Sequence, residues 1–146
     1  MPVLVREQRL RGTPEEVFPF FADAANLEAI TPPWLGFRIV TPQPIEMREG
    51  ALIEYRLRLR GIPLRWRTRI DAWEPGVRFV DRQLSGPYRL WHHTHEFEAD
   101  GPDHTLMRDV VRFEVPFAPL AMWLVSRDLK KIFDFRAEAI EAARRP

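Results

Sequence analysis

Cysteine is absent from this chain of 146 residues. That excludes disulfides, thiol nucleophiles and every thiolate-based zinc site, and it fits a reducing compartment. Lysine is nearly absent: it occurs only at Lys130 and Lys131, so 20 of the 22 basic residues are arginine. Arginine forms planar ion pairs and stacks well, which lysine does not. Net charge is only +1, so the overall balance singles out no polyanionic partner. No run approaches the roughly 20 apolar residues of a membrane span. The opening MPVLVREQRL lacks an apolar core of signal-peptide length. No repeat, low-complexity tract or linker breaks the chain. These absences lead us to expect a cytoplasmic protein without stable membrane insertion, built as a single domain over 1–146. A domain of this size buries roughly 68–70% of its unfolded surface, enough for a core without covalent staples.

What is present falls into three stretches. VLVREQRL opens as a strand. RGTPEEVFPFFAD then carries a helix start, with Thr13 as N-cap, Pro14 at the first helical position and Glu15 and Glu16 in the first turn. Pro19 is expected to bend or shorten this helix. NLEAIT reads as a second short helix, capped by Asn26 and stopped by Pro32 and Pro33. From Ala51 the period becomes two. ALIEYRLRLRG puts Ile53, Tyr55, Leu57 and Leu59 on one face and Glu54, Arg56, Arg58 and Arg60 on the other. PLRWRTRIDAWE sets Leu64, Trp66, Thr68, Ile70 and Ala72 against Arg65, Arg67, Arg69 and Asp71. Turns at Glu74–Gly76, Ser85–Pro87 and Asp100–Asp103 separate further strands, a run of antiparallel hairpins. After Pro116 a long amphipathic helix is expected, with Ala121, Val125, Leu129, Ile132, Ala139 and Ala143 on its apolar face. The sum is an α+β domain: a strand, two short helices, about six more strands and one long helix packed on the sheet.

Three of the four histidines lie in WHHTHEF, Trp91 to Phe97. Opposite residues of an antiparallel pair have a constant sum of numbers. The two turns flanking this strand suggest sums near 174 and 204. Phe79, Asp81 and Gln83 then share a face with Trp91, His93, His95 and Phe97, and with Met107, Asp109, Val111 and Phe113. Asp81 falls opposite His93, and Asp109 opposite His95. His92 points the other way with Glu96, Arg108 and Arg112.

Four ionisable groups on an otherwise apolar face admit three readings. Carboxylates and imidazoles satisfy one another in a buried network, because unpaired buried polar groups are costly. Alternatively the pairs line a ligand cavity and move a proton, since a carboxylate orients a histidine and raises its pKa. In the third reading His93-x-His95 with an aspartate holds a metal. Each histidine already has a candidate carboxylate, so no metal and no cofactor is assigned. The opposite face carries Arg56, Arg58, Arg60, Arg65, Arg67 and Arg69, followed by Arg78 and Arg82. It reads as a solvated outer surface or as a site for an acidic partner. The scarcity of aromatics there, apart from Trp73, disfavours nucleic acid. TPPWLGF (Thr31 to Phe37) and FAPLAMWLV (Phe117 to Val125) read as core or as the rim of a cavity.

Taken in order, these elements resemble the helix-grip fold of the START-like (SRPBCC) superfamily, which includes the birch-pollen-allergen proteins and the polyketide cyclase/dehydrase group. The resemblance covers essentially the whole chain. A bacterial branch of small single-domain ligand-binding proteins is the nearest likeness, through LEAITPPWLGF, GIPLRWRTRIDAWEP, FVDRQLSGPYRLWHHTHEF, MRDVVRFEVPF and IFDFR. It implies a curved sheet of about seven antiparallel strands wrapped around the C-terminal helix, with a cavity between them. The implied ligand is a hydrophobic or aromatic small molecule: a lipid, a quinone or a polyketide-like compound. The lining it suggests is Tyr55, Trp66, Phe79, Asp81, Gln83, Trp91, His93, His95, Asp109 and Val111, with Trp34 at the rim. The implied alternative is a cyclase or dehydratase in which His93, His95, Asp81 and Asp109 form the acid–base machinery. A third reading is an interaction protein using the arginine-rich face, and a homo-oligomer is compatible with each.

Overall fold

The computed structural model describes residues 3–59, 61–116 and 119–144. Its strands are β1 (Val3–Arg11), β2 (Arg38–Ile39), β3 (Leu52–Leu59), β4 (Ile62–Glu74), β5 (Arg78–Ser85), β6 (Leu90–Ala99) and β7 (His104–Glu114). They form one antiparallel sheet in the order β1-β7-β6-β5-β4-β3-β2, so β1 and β2 occupy opposite edges. The chain passes between those edges through α1 (Pro14–Ala22), α2 (Ala24–Ala29) and a 3-10 turn at Pro33–Leu35. The long helix α3 (Pro119–Ala143) packs on the same sheet face, and the sheet curves around it. This is the expected α+β helix-grip architecture.

Local sequence sets the ends of these elements. The Thr13 N–H donates to Glu16 Oε1 at 3.1 Å, and the Glu16 N–H donates to Thr13 Oγ1 at 3.3 Å. This capping box satisfies donors that the first helical turn leaves free. α1 continues through Pro19 to Ala22 and buries Val17, Phe18 and Phe21. The cap of α2 is Asp23, not Asn26: Asp23 Oδ1 accepts from the Ala25 N–H at 2.9 Å. Asn26 instead donates from its side chain to the Phe20 carbonyl at 2.9 Å and ties the two short helices together. Gly36 ends the 3-10 turn in the left-handed region at φ 56°, where a side chain would be strained.

One departure from simple alternation changes which side chains of β4 face inward. A bulge at Asp71 shifts the β4–β5 register between Ile70 and Ala72. Trp73 therefore turns inward against Phe18 and Phe79, and Ala72 moves to the outer side. This reverses the faces expected for both residues, because a bulge adds one residue to a period of two. On α3 the buried stripe is Leu129, Phe133, Arg136 and Ile140. Ile132 and Ala139 sit at its edge and Ala143 is exposed. The expected place of Ala121 on that face lies outside the described residues, as do the side chains of Phe117 to Met122. Trp123 is 58% exposed, while Val125 packs against the Trp91–Phe133 cluster.

Candidate functional site

The strand register supplies the site. Asp81 pairs with His93 across β5–β6, and His95 pairs with Asp109 across β6–β7. Both pairings are those implied by the turn positions. The side chains, however, bond diagonally. His93 Nε2 lies 2.8 Å from Asp109 Oδ1, and His95 Nε2 lies 2.6 Å from Asp81 Oδ2. The directly opposite contacts are longer: 3.7 Å from His93 Nδ1 to Asp81 and 3.4 Å from His95 Nδ1 to Asp109. Side chains lean along their strands, and a long side chain reaches the diagonal neighbour. The two imidazoles stack with centroids 3.6 Å apart, and His95 stacks on Phe79 at 3.9 Å.

A fifth charged group completes the cluster. Arg136, from the buried stripe of α3, places Nη2 3.4 Å from both Asp109 Oδ1 and His95 Nδ1. His93, His95, Asp109 and Arg136 are all buried, and Asp81 is nearly so.

Burial works to raise both carboxyls, but neighbouring charge prevails. The Arg136 guanidinium and the bonds from His93 and His95 hold Asp109 well below the ordinary carboxylate range. The two imidazoles and the Trp91 N–H hold Asp81 below it. The imidazoles diverge. Burial and the charge of His95 push His93 down despite Asp81 and Asp109. Burial also opposes charge on His95, but its hydrogen bonds to Asp109 and Asp81 hold it above the ordinary value. With both carboxylates ionised, one proton shared by the stacked pair and the guanidinium make the cluster electrically neutral.

The cluster forms one wall of a cavity under α3. A larger lobe of about 150 Å³ is lined by Tyr55, Leu57, Trp66, Tyr88, Trp91 and Phe133 as well as by Asp81, His93, His95 and Arg136. A smaller lobe of about 50 Å³ lies toward α1 and α2 and shares Tyr55, Asp81, His95 and Arg136. Burial pushes the Tyr55 and Tyr88 phenols upward, so both stay protonated and able to donate. Trp66 Nε1 and Arg136 Nε are buried donors without a protein acceptor among the described residues. The larger lobe in this conformation has room for about one benzene ring.

No protein-family model and no curated protein matches the sequence. Solved structures match its fold. The ZhuI aromatase/cyclase from Streptomyces superposes with a TM-score of 0.73 at 16% identity, covering 99% of this chain and 96% of that one. A protein from Chromobacterium violaceum gives 0.74 at 14% identity, over 100% and 99% of the two chains. A Thermus thermophilus protein gives 0.65 at 20% identity, over 99% and 100%. This chain has the helix-grip fold of the START-like superfamily.

Within that helix-grip frame the remaining expected lining residues take different places. Phe79 faces the smaller lobe. Gln83 is held by the Tyr88 backbone, donating to its carbonyl at 2.6 Å and accepting its N–H at 3.1 Å. Val111 is fully buried beside Trp91 and Phe133. Trp34 lies outside the cavity, 59% exposed, with its ring edge-on to Phe135. Arg136 is the residue that sequence reasoning missed. Its signal was the 129, 133, 136, 140 spacing, which puts an arginine in the middle of an apolar stripe.

Asp81, His93 and His95 could also bring three ligand atoms within 4.8 Å of one another. A divalent cation there would have to displace the His95–Asp81 bond and would face the Arg136 guanidinium. One shared proton and that guanidinium already neutralise both carboxylates, so the donor set suits protons better than a metal. No helix among the described residues is long and apolar enough to cross a membrane.

Proposed function

We propose that this protein acts on a hydrophobic, aromatic or polyketide-like small molecule as a proton-transfer enzyme of the cyclase/dehydratase type, with the stacked His93–His95 pair as its acid–base device. The observation that carries this reading is a pair of imidazoles, pushed in opposite directions by their surroundings, on the wall of an apolar cavity. Environments that drive paired titratable groups apart separate a base from an acid. Asp109 is ionised and can only accept, so neutral His93 carries its proton on Nε2. Its lone pair is then on Nδ1, the one nitrogen of the two rings without a hydrogen bond among the described residues. His93 takes a proton from a carbon next to a carbonyl. A cationic His93 stacked on cationic His95 is unfavourable, so the His95 proton moves through its 2.6 Å bond to Asp81, which lines both lobes. Asp81 delivers it to the substrate's carbonyl oxygen or departing hydroxyl. Ring closure uses one such pair of transfers and loss of water a second, with the proton returning from His93 to His95 through Asp81 between them, and no other reagent is needed. The aromatase/cyclase among the structural neighbours agrees with this chemistry.

The second reading is a carrier that binds such a molecule without changing it. The unpaired Trp66 and Arg136 donors and the aromatic walls serve that role equally well. Acetophenone, with one ring and exchangeable protons beside a carbonyl, separates the two. Its deuterium uptake in D2O, followed by NMR, should be faster with the wild type than with His93→Gln, while both bind it and keep the same circular dichroism. Equal exchange rates would rule out the acid–base role, and binding without exchange would leave the carrier.

A further inference from the structure

The outer face of the sheet carries two charged rows that follow opposite rules. One row runs Glu74, Arg78, Glu96, Arg108 and Glu7 across β4, β5, β6, β7 and β1. Its signs alternate at every step. Arg78 pairs with Glu74, and Arg108 pairs with Glu7 at 2.9 Å and Glu96 at 3.7 Å. A second row, parallel to it, runs Leu52, Arg69, Arg82, His92, Arg112 and Val3 across six strands. Here basic side chains follow one another on four adjacent strands. Among the described residues only Arg69 of this row has a carboxylate partner, Asp71 at 2.6 Å. Arg82 and Arg112 are exposed and make no ion pair among the described residues. Like charges placed opposite each other destabilise a sheet, and the neighbouring row shows how the same strands avoid this. Between them lies an uncharged row of Ala72, Val80, Thr94, Val110 and Val5. Val5 and the two ends of the basic row, Leu52 and Val3, are each about half exposed.

We propose that this face, distinct from the cavity, docks an acidic amphipathic helix of a partner protein. The helix lies across the strands, along the basic row. Adjacent strands are about 4.8 Å apart and successive helical turns about 5.4 Å, so carboxylates recurring once per turn meet successive basic side chains. The helix's apolar stripe runs beside the uncharged row, where Val80 is buried, Ala72, Thr94 and Val110 are half-buried and Val5 is exposed, roughly 6.6 Å away along β5, β6, β7 and β1. Arginine beside apolar residues, with little lysine, is the composition of protein interfaces rather than of bare solvated surface.

The test uses a labelled helical peptide with one glutamate per turn beside a leucine stripe, and fluorescence anisotropy. We expect binding that weakens with salt and falls at least about tenfold in the Arg82→Glu/Arg112→Glu double variant. Changing the same glutamates to lysine should restore binding to that variant. Arg108→Gln, in the self-neutralised row, should bind as the wild type does. Equal binding of a scrambled peptide, no binding at low salt, or tighter binding of duplex DNA or anionic lipid vesicles would overturn the proposal.

Discussion

Arg136→Met removes the one permanent cation from the buried cluster while keeping most of the side chain's volume. The guanidinium stands 3.4 Å from Asp109 and 3.4 Å from His95, and both partners are at least nine-tenths buried. Taking one partner from a buried pair typically costs about 3–5 kcal/mol, because the other charge stays behind. Here the loss depends on pH. Two carboxylates and one proton leave the cluster one charge short of neutrality. A second proton restores it, at the expense of two cations in rings 3.6 Å apart. In the variant both imidazole pKa values are therefore raised in the folded state. Such groups contribute their full stability below about pH 6.5 and lose it as pH rises through the folded values. Urea unfolding near pH 8 should show the full loss of about 3–5 kcal/mol. Near pH 6 the loss should be smaller by at least about 1 kcal/mol, the worth of less than one pKa unit. An equal loss at both pH values would refute the charge balance assigned to the cluster.

Three further outcomes follow from the same structure. In the wild type, stability contributed by the imidazole pair should peak near pH 6.5: depressed His93 loses it on acidification, and raised His95 loses it on alkalisation. Denaturation of His93→Gln should lack the acid limb, and that of His95→Gln the alkaline one. Thr13→Ala should cost about 1 kcal/mol by removing the α1 cap, read as a shift in urea midpoint at constant slope. Phe133→Ala should cost about 3–5 kcal/mol and enlarge the lobe beside His93, so that larger aromatic ligands raise the melting temperature of this variant more than that of the wild type.

Much of this organisation was legible in the residues. Turn positions around WHHTHEF fixed the strand sums, and the sums brought Asp81, His93, His95 and Asp109 to one face. The sums could not reveal the diagonal bonding, since Cα register does not determine which way side chains lean. The β4 bulge was hidden because Asp71 between Ile70 and Ala72 looks like ordinary alternation, and Trp73 was placed on the wrong face as a result. Arg136 escaped notice for a different reason. An arginine reads as surface by type, and only the position of α3 over the carboxylates explains its burial. On the outer face the excess of arginine was visible along each strand, but its concentration in one row beside a neutralised one appears only when strands are laid side by side.

The division of the histidine pair into base and acid is best tested by site-resolved NMR of the imidazole nitrogens across a pH titration. His93 should remain neutral, protonated on Nε2, to below the ordinary imidazole range, while His95 stays cationic above it. Two histidines titrating together near 6.5, or His93 carrying its proton on Nδ1, would contradict the account.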